Sequence, residues 1–199
     1  MTRRRIRDIR NDELIEAAIE AIHQKGFVTV TMAEIARTAG ASAASINYYF
    51  GSKDQLMEKT MRRLMSLLRA RLMAHLSGSE TPRDRLLAII DANFDDQLLT
   101  AQQCSVWVQF WANAPYAPRL ARLHRINQRR VASHLRHELR QLVEPARQSA
   151  LRASIQAYMD GVWIELAQRA GPVDAGHARQ AAREVILTLL DGHGHSPRG

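Results

Sequence analysis

The chain has 199 residues, 46% of them apolar, and a formal net charge of +8 at pH 7. That is ample for a core, yet no apolar run approaches the ~20 residues that cross a bilayer, and no apolar stretch follows the basic start to make it a secretory signal. A single cysteine, Cys104, excludes an internal disulfide and fits a reducing cytoplasm, where the protein is expected to reside with no membrane partner.

The positive charge is nearly all arginine, since the only lysines are Lys25, Lys53 and Lys59. A basic balance suits a polyanion without proving one. Arg3, Arg4, Arg5, Arg7 and Arg10 crowd the start of the chain. Such an arm lies over phosphates or enters a minor groove when it precedes a DNA-reading unit; otherwise it is a solvated tail. Ile15, Ala18, Ile19 and Ile22 then mark the buried stripe of a first helix, closed near Gly26.

The next stretch, Thr31 to Lys53, is the most informative in the chain. Thr31 and Glu34 form a capping box at a helix start. Ile35, Ala36 and Ala39 give that helix its apolar face, and Gly40 ends it. Ser42 caps a second helix after a turn of helix-turn-helix length. Ala43, Ala44 and Ser45 keep its first turn small, which lets backbone approach base edges in a major groove. Ile46 and Phe50, spaced i, i+4, point to the core, whereas Asn47 and Tyr48 lie off that line as candidates for polar contact. Ser52 and Gln55 start another helix, and Lys53 adds charge to an N-terminus suited to phosphate.

Helical spacing continues to the end, with no strand-like alternation. Leu56, Leu64, Leu67, Leu68 and Leu72 define a long helix. The Ser77 to Pro82 break follows, and Pro82 opens a helix carrying Leu86, Leu87, Ile90, Phe94 and Leu98. A shorter helix covers about 101–113, Pro115 and Pro118 bracket a turn, and Leu120, Leu123, Val131, Leu135, Leu139 and Leu142 mark another long helix. Its arginines, Arg119, Arg122, Arg125, Arg129, Arg130, Arg136 and Arg140, read as a solvated face. A helix after Pro145 stops at Gly171-Pro172, and a last one covers about 174–190. The expected fold is all-α, with about nine helices: a helix-turn-helix domain with a basic arm at 1–50, a helical sensing and dimerisation domain at 51–191, and a flexible tail at 192–199. Helix-turn-helix units bind as two-fold dimers. Ala150, Ala153, Ser154, Ala157 and Gly161 offer a small-sided flank for a homodimer, with Ile186, Leu189 and Leu190 as apolar cover.

Trp107, Phe110 and Trp111 fall within five residues, with Trp107 and Trp111 on one helix face. Trp163 comes later, and Asp91, Asp95, Asp96 and Asp160 supply carboxylates nearby in sequence. Ring faces with a carboxylate hold a quaternary ammonium, which has no N–H to donate and cannot be selected by hydrogen bonds. Tryptophans at this spacing also serve as plain core, so the pattern by itself leaves both readings open. Enzyme chemistry has no comparable signal: there is no phosphate loop, no G-x-S-x-G and no H-E-x-x-H. His134 and His137 sit amid arginines on a helix and read as solvated rather than metal-binding. No enzyme activity, metal or cofactor is expected.

The Thr31 to Lys53 stretch resembles the DNA-binding domain of the TetR family of repressors. Thr31, Ile35, Ala36, Ala39, Gly40, Ser42, Tyr49, Phe50, Lys53 and Leu56 stand in matching places. Ala41 departs from the usual valine, and Asn47 from a tyrosine that commonly touches phosphate; Asn47 is suited instead to pair with adenine. The resemblance implies operator contacts from Arg3, Arg4, Arg5, Thr31, Ser42, Ala43, Ala44, Ser45, Asn47, Tyr48, Tyr49 and Lys53, and a dimer built on the last two helices. The pieces Asn93-Phe94-Asp95, Trp107 to Ala112, Arg122-Leu123 with Arg129-Arg130, and Asp160 to Trp163 resemble the choline-sensing branch that governs glycine-betaine genes. That branch implies ring walls from Trp107, Trp111, Trp163 and, less centrally, Phe110. Asp91, Asp95 and Asp160 are the candidate counter-charges, and Asn93 is the candidate for holding a hydroxyl. The alternative within the family is a sensor of lipophilic cationic drugs that controls an efflux pump.

Overall fold

The structure is a computed structural model that describes residues 3–169 and 171–192, with side chains from Arg10 onward. Among the described residues it is all-α, with nine α-helices and one short 3-10 turn at Ala114–Tyr116. None of these helices is long and apolar enough to cross a membrane. By packing, the chain divides into two units, each built from two stretches. One comprises the residues up to Ser66 together with Ser105–His124, and the other comprises Leu67–Cys104 and the residues from Arg125 on.

The first unit starts with α1 (Arg3–Lys25), so the backbone of the basic segment is helical from Arg3. The side chains of Arg3, Arg4 and Arg5 lie outside the described residues, as do 193–199 of the expected tail. Leu14, Ile15, Ala18, Ile19 and Ile22 bury one face of α1. Gly26 closes it at φ +92°, a left-handed conformation that favours glycine, and donates its N–H to the Ile22 carbonyl at 2.8 Å. The capping box of α2 (Met32–Thr38) forms as expected: the Thr31 hydroxyl accepts the Glu34 N–H, and the Glu34 carboxylate accepts the Thr31 N–H. Lys25 sits 2.6 Å from that carboxylate. Hydrogen bonding from Lys25, then from Thr31, holds the Glu34 carboxyl down at about 2.

After Gly40, Ser42 caps α3 (Ala43–Phe50) by accepting the Ser45 N–H at 3.1 Å. Ile46 and Phe50 are buried, and Gly51 at φ +76° ends the helix. The long helix α4 (Lys53–Leu76) then packs Leu56, Met57, Met61 and Leu64 into the same core. Two of its lysines tie it to the elements before it. Lys53 donates to the Val28 carbonyl at 2.7 Å, and Lys59 donates to the Tyr49 carbonyl at 3.3 Å with its ammonium 4.7 Å from the Phe50 ring centre. A cation at the C-terminal end of α3 also matches the negative end of that helix's dipole.

In the second unit α5 (Pro82–Asn93) has its own capping box, Thr81 with Asp84, and Pro82 in the first turn. This helix ends sooner than its apolar pattern suggests. Phe94 is its C-cap, and the Asp95 carboxylate accepts the Gln97 N–H at 2.9 Å, turning the chain before Leu98. Phe94 and Leu98 are still buried, which is why the apolar spacing mimicked a continuing helix. Next come α6 (Ala101–Asn113), α7 (Pro118–Leu142), α8 (Pro145–Gln168) and α9 (Ala175–Asp191). The α7 arginines Arg125, Arg129, Arg130, Arg136 and Arg140 are all exposed. Buried Glu138 of the same helix pairs with Arg85 at 2.9 Å. Ala150, Ala153, Ser154, Ala157 and Gly161 line an exposed flank of α8 that ends at Ile164, 41% exposed. Ile186 and Leu190, expected as outward apolar cover, are buried within the chain instead, because α9 packs on both α5 and α8.

The packing of α3 predicts opposite outcomes for two neighbouring aromatic residues. Phe50, 2% exposed, is a core anchor, and Phe50→Ala should cost ~3–5 kcal/mol in chemical denaturation. Tyr48 is 76% exposed, and Tyr48→Ala should stay within about 0.5 kcal/mol of the parent.

Candidate DNA-reading surface and sensing residues

The burial of Ile46 and Phe50 turns the rest of α3 outward. Ala43, Ala44, Asn47 and Tyr48 are all exposed, with Ser45 and Tyr49 half-buried at the edges of that face. The Tyr48 ring stands edge-on to Tyr49, with centroids 5.4 Å apart and planes at 87°. Tyr48 is therefore braced while its hydroxyl end stays in solvent. The two small alanines, an amide and a phenol form a surface that can enter a groove and offer donors and acceptors there. Thr31 spends both its hydroxyl and its backbone N–H on the capping box with Glu34, whereas Ser42 spends only its hydroxyl oxygen on the Ser45 N–H and keeps its hydroxyl hydrogen for a phosphate. Lys53 is likewise engaged by Val28; desolvation lowers its pKa, and two ammonium protons stay available.

The aromatic cluster belongs to the first unit. Trp107 and Phe110 of α6 are buried, and Trp111 is half-buried. The Trp107 ring lies 5.8 Å from Phe110 in an edge arrangement and 6.2 Å from Trp111 at a tilt of 47°. His124 of α7 also meets Phe110, at 6.0 Å and edge-on. Gln109 leaves α6 on another face, and its amide accepts the Phe27 N–H at 2.5 Å.

The carboxylates and Trp163 belong to the second unit. Asp95 is buried and fully engaged: Arg71 and His75 of α4 each approach it to 2.8 Å, alongside the Gln97 N–H. Burial pushes its pKa up, but the bonds from Arg71, His75 and Gln97 outweigh burial and hold it below the ordinary value. Asp91 is less compensated. Burial raises its pKa despite Arg183 at 3.3 Å and the more distant His75 and Arg179. Asn93 is half-buried, and so is Asp160, which accepts from the Gln156 amide at 3.1 Å. Trp163 is in the core on α8. Cys104 is buried, and desolvation pushes its thiol up to about 12, which keeps it protonated and inert at neutral pH.

The structure thus brings together Trp107, Phe110 and Trp111 in one unit, and Asp91 and Asp95 around His75 in the other. His75, Arg71, Arg183, Gln109 and His124 carry no sequence motif and were not foreseen as part of either group. For His75 and Arg71 the available signal was their i, i+4 spacing on the face of α4 that meets the α5 turn.

Comparison with known proteins places these features. Residues 14–60 match the family described as bacterial regulatory proteins, tetR family. Residues 82–191 match the family described as BetI-type transcriptional repressor, C-terminal. The HTH-type transcriptional regulator BetI of Burkholderia thailandensis is 36% identical over 186 residues, 93% of this chain and 95% of that protein. The BetI of Burkholderia cenocepacia is 34% identical over 93% of this chain and 96% of that protein. Among solved structures, a transcriptional regulator from Saccharomonospora viridis in complex with choline superposes with a TM-score of 0.74 at 26% identity, covering 89% of this chain and 95% of that one. A transcriptional regulator from Rhodococcus sp. shares the fold with a TM-score of 0.77 at 22% identity, over 92% of this chain and 96% of that one.

The two carboxylates have opposite linkage. Asp95, depressed in the fold, contributes stability that is present above the ordinary value of 3.8 and is lost as pH falls through its lower folded value. Asp91, raised in the fold, contributes fully below 3.8 and loses that contribution as pH rises through its folded value. Thermal denaturation at neutral pH should separate them. Asp95→Asn should destabilise by ~1–3 kcal/mol, and Asp91→Asn should leave the Tm unchanged or raise it.

Proposed function

The chain belongs to the TetR family of bacterial transcription regulators, with a carboxy-terminal domain of the BetI type, and from that premise we propose that it is a homodimeric repressor of a palindromic operator that responds to a small quaternary ammonium such as choline. It binds DNA and is not an enzyme. The genes under its control are, on this reading, those that convert choline to glycine betaine, as the resemblance of its sensing residues implies.

The observation that carries the ligand reading is the ring face of α6. Trp107 and Trp111 stand 6.2 Å apart at a tilt, with Phe110 edge-on behind Trp107. A quaternary ammonium held against indole faces gains up to about 2 kcal/mol per ring when desolvated. The family resemblance also puts forward, from the second unit, Trp163 as a ring, Asn93 for a hydroxyl, and Asp91, Asp95 and Asp160 as counter-charges to choose among. Asp91 is favoured because Asp95 already has two cationic partners, whereas burial of Asp91 is only partly offset. A carboxylate left partly uncompensated attracts a cation.

On the DNA side, residues 1–50 form the operator-reading domain. Ala43, Ala44, Asn47 and Tyr48 enter the major groove, Tyr49, Thr31, Ser42, Ser45 and Lys53 flank the phosphates, and Arg3, Arg4 and Arg5 extend the contact. The exposed small-sided flank of α8 supports the dimer, since among the described residues nothing beyond the helix's own backbone stands within 4 Å of a Cβ built at Gly161, and helices approach closely where side chains are small. Between Tyr158, Val162 and Leu166 of α8 and His177, Ala178 and Ala181 of α9 lies a groove of about 370 Å³ that suits a partner helix. Ligand and operator compete through two arrangements of the dimer. A coupling of about 1–3 kcal/mol suffices, provided the ligand binds the two arrangements unequally.

Titration with choline should quench or shift the tryptophan emission of the parent protein. Trp107→Ala should weaken choline binding by about 30-fold, the equivalent of about 2 kcal/mol, with helix content unchanged. A parent protein whose emission and heat of mixing ignore choline would contradict the ligand assignment.

A further inference from the structure

Gln109 lies between the two α6 tryptophans in sequence. At about 100° of turn per residue its side chain leaves the helix on the side opposite their rings. There it meets the base of the DNA-reading domain. Its Oε1 accepts the Phe27 N–H at 2.5 Å, and its Nε2 donates to the Ser105 hydroxyl at 3.0 Å and towards the Ile22 carbonyl at 3.4 Å. These contacts are part-buried and link residues more than eighty positions apart in the chain.

The chemistry of the junction explains why an amide stands at this position. The end of α1 presents the Ile22 carbonyl, which accepts the Gly26 N–H at 2.8 Å and keeps a second lone pair, and the loop after it presents the Phe27 N–H, whose partner is the Gln109 amide. A side chain that satisfies both must donate and accept at once, which a carboxylate, an ammonium or a guanidinium cannot do. The approach is close. A Cβ at Gly26 would stand 3.6 Å from the Gln109 Oε1 and 3.2 Å from the Thr29 hydroxyl, at a φ of +92° that already favours glycine.

The loop from Gly26 to Val30 is also where α4 is tied, through Lys53 to the Val28 carbonyl at 2.7 Å. It runs directly into the Thr31 cap of α2, which fixes α2 and, through it, α3. The α6 clasp and the α4 clasp therefore converge on one short loop that leads to the groove-reading helix.

We infer that Gln109 is the positioning residue that couples the ring-bearing helix to the DNA-reading domain: a displacement of α6 at its tryptophan face is delivered by the Gln109 amide to the end of α1 and the loop that sets α2 and α3. This rests on the ligand reading above for the identity of what displaces α6, but not for the clasp itself. Gln109 touches neither ligand nor DNA. Its removal changes how strongly one site feels the other and leaves the affinity of the ring face for its ligand intact.

The test uses the full-length dimer, choline chloride, and a DNA duplex selected by the parent protein from a random library. Gln109→Leu removes both hydrogen bonds at similar size, and Gln109→Glu keeps the acceptor for Phe27 while losing the donor to Ile22. In hydrogen exchange without ligand, the Phe27 amide should exchange at least about tenfold faster in the leucine variant and near the parent rate in the glutamate variant. Choline affinity, read by tryptophan emission, should stay within about twofold of the parent, while the fold-change that choline produces in DNA affinity should shrink by about tenfold in the leucine variant. Should choline leave the parent unaffected, the ligand assignment fails, and the clasp is judged by exchange: operator binding should alter Phe27 protection in the parent and not in Gln109→Leu. Unchanged Phe27 exchange in Gln109→Leu, or a full choline effect on its DNA affinity, would overturn the inference. If the leucine variant loses helix content, the glutamate variant decides, since coupling equal to the parent together with fast Phe27 exchange also overturns it.

Discussion

An eight-residue helix does not persist in water by itself, because its nucleation cost exceeds what two turns of backbone hydrogen bonds return. Everything that α3 presents to DNA therefore depends on what holds it from behind. Ile46 and Phe50 provide the burial, Ser42 and Gly51 close the two ends, and α4 supplies the floor. The lysines refine this. In a chain that otherwise uses arginine, all three lysines are spent in the DNA-reading region: Lys25 on the Glu34 cap of α2, Lys53 on the Val28 carbonyl, and Lys59 on the Tyr49 carbonyl and the Phe50 ring. A compact ammonium suits a single carbonyl oxygen, where the planar guanidinium fork prefers a carboxylate or phosphate. Arginine pairs with buried carboxylates, Arg71 with Asp95 and Arg85 with Glu138, and covers the exposed face of α7.

A reading helix held this way does not adjust by itself. It moves when α4 or the α1–α2 loop moves, which makes those two elements the natural points of control. The second unit holds two neighbouring carboxylates in different settings. Asp95 is tied by Arg71 and His75 to α4, while Asp91 one turn before it is half-buried with incomplete compensation. Hydrogen bonds favour ionisation of the first carboxylate, and desolvation opposes ionisation of the second. Neighbouring acids with opposed shifts are a frequent mark of functional sites.

What the sequence made legible was local. The Thr31–Glu34 box, the Ser42 cap and the Gly40 turn are relations of three or four residues, and each formed as read. The bounds of α6 and the shared face of Trp107 and Trp111 were legible for the same reason. The early end of α5 was not, because Asp95 turns the chain with help from residues twenty positions earlier in α4. The buried fate of Ile186 and Leu190 depended on which helices α9 would meet, which periodicity does not encode. Lys53 read as a phosphate ligand from its place at a helix start, and only the folded chain reveals Val28 as its present partner. Gln109, one polar residue in an apolar run, gave no signal, since its partners Phe27 and Ile22 lie more than eighty residues away.

The central claim is that a positive charge, recognised by ring faces and a carboxylate, is read out as a loss of DNA affinity. Anisotropy of a labelled operator duplex, with choline compared against its neutral isostere 3,3-dimethylbutan-1-ol, tests it most directly. The two molecules have nearly the same shape and differ in charge. The account predicts that choline lowers operator affinity by about tenfold or more while the neutral isostere at equal concentration changes it little. Equal effects from both, or none from choline, would contradict it.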